Sequence, residues 1–133
     1  MYKKSCIVSL LLVLLIIAES QSKVYGQNYL FDSLNSSISG LSDNNKIIKL
    51  REAALLFKET SLDRAIFFAE QRVLLAESKN SDSLVADNLN LLGNIYLASG
   101  LNDRARNKYT ESLAIFKTLN DYNGCATETH NLG

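Results

Sequence analysis

Few side chains in this sequence could make or break bonds, and their spacing matches no familiar catalytic arrangement. His130 is the single histidine, so no paired-imidazole metal site can form. It could titrate near neutral pH, but a solvated surface position is the expected one. Cys125 could be a nucleophile only in an electropositive, accessible setting, and its place at the start of an apolar pattern points to a small buried side chain instead. Acidic pairs such as Glu52 and Glu59 fall at helix-surface spacing with no acid–base partner type beside them. The chain contains no Gly-rich phosphate loop, no nucleophile elbow and no kinase signature. No metal, cofactor or enzyme activity is expected in this segment, and the residues point to binding.

The composition agrees with that direction. Formal charge is balanced, with 14 basic and 14 acidic residues. No basic run or stripe exists that would draw nucleic acid. The absence of proline, together with abundant Leu, Ala, Lys, Glu and Arg, favours helix, because nothing removes a backbone donor or clashes with the preceding turn. The predicted fold class is all-α.

The first residues read as an export signal. Lys3 and Lys4 form a positive n-region, and Ile7 to Ala18 is apolar apart from Ser9. That apolar core is too short to span a bilayer comfortably. Val24 and Gly26 suit a signal-peptidase site between Gly26 and Gln27, so residues 1–26 are expected to be a signal peptide. Cleavage after Ala18, Ser20 or Ser22, or retention as an uncleaved anchor, are the alternatives. Cys6 precedes the apolar core, so lipid attachment is not indicated. Cleavage removes three of the 14 basic and one of the 14 acidic residues, a mature net charge of −2. It also leaves Cys125 without an internal partner. Residues 27–44 form a lead-in, including Tyr29 to Leu34.

From residue 45 the chain repeats itself at an offset of forty. Asp63-Arg64-Ala65 falls on Asp103-Arg104-Ala105, Asn80 on Asn120, Ala86 on Ala126, and Leu92-Gly93 on Leu132-Gly133. Each unit reads as two helices. Leu84, Leu89, Leu92, Ile95 and Tyr96 make an apolar stripe that stops at Ser99-Gly100, where glycine suits a left-handed helix end. Asn102 is expected to cap a second helix, whose stripe is Ala105, Tyr109, Leu113 and Phe116. Asn120 to Gly124 reads as a polar turn, with a third helix starting near Cys125 or Ala126. Gly93 and Ala105 are expected to face one another, so that the helices approach closely, with Tyr96 and Tyr109 filling the flanks. Phe57, Phe67, Phe68 and Phe116 fall at core spacing, whereas Tyr122 is expected to be exposed.

Leu89, Leu92-Gly93, Tyr96, Ala105, Tyr109 and Ser112 stand in an order and spacing that resembles the tetratricopeptide repeat. Leu89 departs from the family's usual Trp, and Lys117 stands where Pro often ends the unit. The forty-residue period is similar to the long-helix subtype of kinesin light chains and many bacterial signalling proteins. The resemblance spans roughly residues 46–133. It divides into a degenerate repeat at 45–80, where Ala53 replaces the helix glycine, a clear repeat at 84–120, and the start of another at 125–133. Because the sequence stops inside that last unit, it is expected to be a fragment of a longer protein.

The resemblance implies a solenoid, an α-α superhelix of antiparallel helix pairs, whose concave face is lined by the first helix of each pair. On that face it implies partner-binding positions at Asp87, Asn90, Asn94 and Leu97, with His130 in the place of Asn90 one unit later. The amide of Asn94, which follows Gly93 directly, could donate to and accept from the backbone of an extended peptide; ordinary solvated polar residues are the alternative. Replacing Asn90 and Asn94 with alanine is expected to weaken partner capture without much loss of stability. The order of signal peptide, lead-in and repeats is similar to the exported sensor region of bacterial tetratricopeptide-repeat histidine kinases and regulators. It implies a non-catalytic, periplasmic module binding a protein or peptide, with a transmembrane helix and an output domain following, compatible with a homodimer. An envelope scaffold without signalling output is the alternative.

Overall fold

Without proline to interrupt it, almost the whole chain is helical. The computed structural model describes the backbone of residues 2–133 and the side chains of residues 11–133. The helices are α1 (Tyr2–Ser39), α2 (Asp43–Phe57), α3 (Leu62–Ser78), α4 (Asp82–Ala98), α5 (Asn102–Thr118) and α6 (Tyr122–Leu132). No strand occurs among the described residues, and the all-α expectation holds.

Residues up to Ser37 and residues from Ile38 onward form two separate units. In the first, α1 runs without a break through Gly26 and Gln27. Its apolar side chains from Leu11 to Ile17 are all exposed, Ile16 the most at 65% and Ile17 the least at 48%. The side chains before Leu11 in the expected apolar core lie outside the described residues. No helix among the described residues is long and apolar enough to cross a membrane.

The second unit is organised by its corners. The left-handed backbone conformation recurs at Asn80, Gly100 and Asn120, with φ of 49°, 74° and 56°. Asparagine and glycine are the residues that reach this region most readily. At each corner the next residue's N–H reaches back five positions. Ser81 donates to Ala76 O at 3.2 Å, Leu101 to Tyr96 O at 2.9 Å, and Asp121 to Phe116 O at 3.0 Å. These bonds satisfy carbonyls that a helix end would otherwise leave orphaned. The same three residues occupy the N-cap position of the following helix. One residue thus closes one helix and caps the next at these three links, and α3, α4 and α5 are each 17 residues long.

Two expected boundaries shift for this reason. The cap of α5 is Leu101, with no side-chain cap bond, and Asn102 is the first helical residue. α6 begins at Tyr122, earlier than expected, because the Asp121 carboxylate accepts from the N–H groups of Asn123 at 3.1 Å and Gly124 at 3.0 Å. The sequence Asn120 to Gly124 therefore contains a corner, a cap and a first helical turn.

Each helix from α2 to α6 packs chiefly on its neighbours in the chain. Small residues bring the axes close: Ala53, Ala54, Ala65, Ala69, Ala76, Ala86 and Ala105 are all buried. Rings fill the space that remains. Phe57 stacks on Phe68 at 5.9 Å between centroids, and Phe67 meets Phe68 edge-on at 5.4 Å, arrangements that add to the burial of their area. Gly93 is buried, and the ring of Tyr109 lies against it. A Cβ placed at Gly93 would lie 2.6 Å from Tyr109 Cδ1 and 2.9 Å from Cζ. Gly124 lies under Phe116 in the same way, with 2.8 Å from a hypothetical Cβ to Cδ2. Tyr122 is 82% exposed, as its loop-like surroundings predict, although it opens a helix. Cys125 is half-buried and unpaired.

An exposed helix glycine replaced by alanine would gain about 1 kcal/mol. Because the Tyr109 ring occupies the space, Gly93→Ala is instead expected to cost about 1–3 kcal/mol, the usual range for overpacking. In a Tyr109→Leu background the same change is expected to be neutral or stabilising. Urea denaturation of the two single variants and the double variant measures both signs.

Candidate functional site

The second unit holds four buried polar or charged side chains, Arg72, Asn88, Ser112 and Glu128. Buried polar groups cost free energy unless they are hydrogen-bonded, so their partners define the polar architecture. Shifted by forty residues, Arg72 corresponds to Ser112 and Asn88 to Glu128. The same two positions of the repeat thus carry polar partners at the α3–α4 and α5–α6 contacts, with different chemistry each time.

At the first contact, Arg72 Nη1 donates to Asn88 Oδ1 at 3.3 Å, and Asn88 Nδ2 donates to the Ala69 carbonyl at 2.9 Å. Arg72 Nη2 lies 3.9 Å from Asp87 Oδ2, and Arg72 Nε is buried without a protein partner. Burial pulls the Arg72 guanidinium below its ordinary pKa; Asp87 opposes this and the Arg51 charge adds to it.

At the second contact a continuous chain of hydrogen bonds crosses three helices. Tyr109 Oη on α5 donates to Asn94 Oδ1 at 2.9 Å, and Asn94 Nδ2 donates to Asn90 Oδ1 one turn earlier on α4, also at 2.9 Å. Asn90 Nδ2 then donates to Glu128 Oε1 on α6 at 2.7 Å. Ser112 Oγ lies 3.0 Å from the same Oε1 and 2.9 Å from the Ala86 carbonyl. A hydroxyl has one proton, so it serves one of these acceptors at a time. Glu128 is fully buried, and its Oε2 has no hydrogen-bond partner. Burial first, and then the charge of Glu128, raise the Tyr109 phenol above its ordinary pKa.

Next to this chain lies a cavity of about 290 Å³ with walls from α2, α4, α5 and α6. Arg51, Asp87, Asn90, Phe116, Asp121 and Glu128 are among its lining residues. Asp87 and Asn90, expected on the partner-binding face, are brought together here. Asn94 stands behind Asn90 as its hydrogen-bond partner. Leu97 is 51% exposed and His130 is exposed, and neither lines this cavity. Of the repeat signature, Leu92, Gly93, Ala105, Tyr109 and Ser112 are buried, and Leu89 and Tyr96 are half-buried. The Arg104 guanidinium lies over the Tyr96 ring, 5.9 Å from its centroid. Ser112 does more than occupy a small-residue position, because it anchors α5 to both α4 and α6.

Two expectations change. Asn90 and Asn94 belong to an internal network, so their replacement must lower stability as well as any binding. Arg51 and Glu128 line the site and were not singled out from the sequence. The forty-residue offset held the signal for Glu128, since it matches buried Asn88, but the change from amide to acid hid it. No group of His, Cys, Asp or Glu among the described residues is arranged to hold a metal ion.

No protein-family model, curated protein or solved structure matches this chain.

The network makes a two-part prediction. Asn90→Ala removes a donor from a buried carboxylate and is expected to cost about 1–3 kcal/mol in denaturant unfolding. Tyr109 has its pKa raised in the folded state, so its contribution is complete below the unfolded phenol value of about 10 and is lost as pH rises through the folded value. In ultraviolet difference titrations against Tyr109→Phe, the absorbance assigned to Tyr109 is expected to develop at higher pH in the folded protein than in urea.

Proposed function

We propose that residues 45–133 are a long-subtype tetratricopeptide-repeat array acting as the non-catalytic, peptide-binding part of an exported bacterial signalling protein. The observation that carries this reading is the cavity to which α2, α4 and α6, the first helices of successive pairs, all contribute beside Phe116 of α5, with Asp87 and Asn90 on its wall. Support for the repeat comes from the equal helices and recurrent left-handed corners, and from the ring of Tyr109 on Gly93. The residue pattern alone brings the likeness to exported sensor regions, where a periplasmic array precedes an output domain.

In this reading an extended peptide lies along the face formed by α2, α4 and α6. Asp87 meets it from the cavity wall, and exposed Leu97 supplies an apolar contact one end further along α4. Asn90 and Asn94 are already committed to Glu128 and Tyr109, so they hold the face in shape and offer only their remaining hydrogen-bonding capacity. Binding that favours one spacing of the stacked pairs over another would shift the population of array geometries passed to the output domain.

Panning a random peptide library against the full chain is expected to enrich sequences whose binding is lost in Asp87→Asn combined with Leu97→Glu, a variant that leaves the chain from Tyr109 to Glu128 in place and puts no like charge beside Arg72. No enrichment, or equal binding by that variant, would sink the reading. Export makes a separate prediction: N-terminal sequencing of protein produced with its native leader in a Gram-negative host should return Gln27 as the first residue. Retention of Met1 in the cytoplasmic fraction would contradict it.

A further inference from the structure

We infer that the cavity bounded by α2, α4 and α6 is a receptor for a cationic side chain, lysine or arginine, carried by a bound peptide. The inference rests on the peptide-binding reading above and names the chemistry of the peptide's anchor. Its starting point is Glu128, a wholly buried carboxylate whose Oε1 accepts from Asn90 and lies within reach of the Ser112 hydroxyl, and whose Oε2 has no donor. An ionised carboxylate offers about four acceptor sites, and burial makes each unfilled one costly.

The surroundings determine which donor fits. Asp87, Asp121 and Glu128 line the cavity against one cation among the described lining residues, Arg51. Asp121 uses Oδ1 to cap α6, and Asp87 leans toward Arg72 at 3.9 Å. Both keep further acceptor sites, but both are reached by solvent, whereas the open acceptor of Glu128 is buried. A neutral amide could fill the hydrogen bond but would leave the surplus of negative charge unanswered. An ammonium or guanidinium group supplies both, in a charge-assisted bond stronger than a neutral one. Phe116 also lines the wall and adds apolar surface for the stem of a long cationic side chain. A cavity of about 290 Å³ accommodates the end of one long side chain, and its acidic lining disfavours an anionic group such as a peptide C-terminus.

The test uses the full chain, isotopically labelled, titrated with acetyl-Gly-Lys-Gly-amide, acetyl-Gly-Arg-Gly-amide and the norleucine analogue, and followed by the side-chain amide resonances of Asn90 and Asn123. Saturable shifts are expected with the lysine or arginine probe and not with norleucine. Glu128→Gln keeps an acceptor for Asn90 and is expected to weaken binding tenfold or more, with far-UV circular dichroism confirming the helices. Arg51→Gln removes the like charge and is expected to tighten binding roughly two- to fivefold at low salt, a gain that a misfolded variant could not imitate. Equal response to norleucine, or unchanged binding by Glu128→Gln, overturns the inference. If library peptides bind through Asp87 and Leu97 while neither cationic probe binds, the cation receptor falls and the peptide-binding reading stands. If the cationic probes bind through Glu128 while no library peptide is recovered, the receptor stands and the extended-peptide reading falls.

Discussion

Tyr109 is the residue through which packing and polarity are joined. Its ring needs the bare backbone of Gly93 beneath it, and from that position its hydroxyl reaches Asn94. The helix spacing set by the ring thus decides where the Asn94 and Asn90 amides stand, and through them where Glu128 is held. A larger residue at position 93 would displace the ring and with it the first donor of the chain. Close packing costs helix propensity at Gly93, offset by the area of a large ring removed from water.

The repeated corner supplies the second constraint. A left-handed residue and a bond reaching five positions back recur at the links from α3 to α4, α4 to α5 and α5 to α6, and keep each of them short. With three successive helices of equal length, residues forty apart arrive at equivalent places. That equivalence puts Arg72 with Asn88 and Ser112 with Glu128 at corresponding contacts. The first pairing brings a cation to a neutral amide, with Asp87 nearby. The second brings a hydroxyl to an acid and leaves an acceptor over. Two copies of one packing solution therefore differ in electrostatics, and the surplus negative charge gathers at the later one, beside the cavity.

The candidate face was legible in part. Asp87 and Asn90, which the resemblance to the tetratricopeptide repeat places on a partner-binding face, sit on the cavity wall. Leu97 and His130, placed on that face by the same resemblance, lie beyond the cavity, since about 290 Å³ covers only a short stretch of each helix. Asn94 shows why type and position do not settle a role. Its side chain is equally suited to a ligand backbone or to a neighbouring phenol, and the nearness of Tyr109 decides for the phenol.

The sequence by itself determined that the second unit is built of helices, that they come in a forty-residue rhythm, and that a turn falls at Gly100. These follow from local chemistry: no proline, apolar stripes at helical spacing, and a residue tolerant of positive φ. It also marked Leu92, Gly93, Ala105 and Tyr109 as interior positions, since apolar and small types recur in phase, whereas Ser112 came only from the likeness to the tetratricopeptide repeat. Only the tertiary structure decided that the Tyr109 ring lies over Gly93 and that Glu128 is buried. Each of these depends on where a side chain from another helix lies, and residues such as Asn90 and Glu128, 38 positions apart, become neighbours only when the helices between them have turned back on one another.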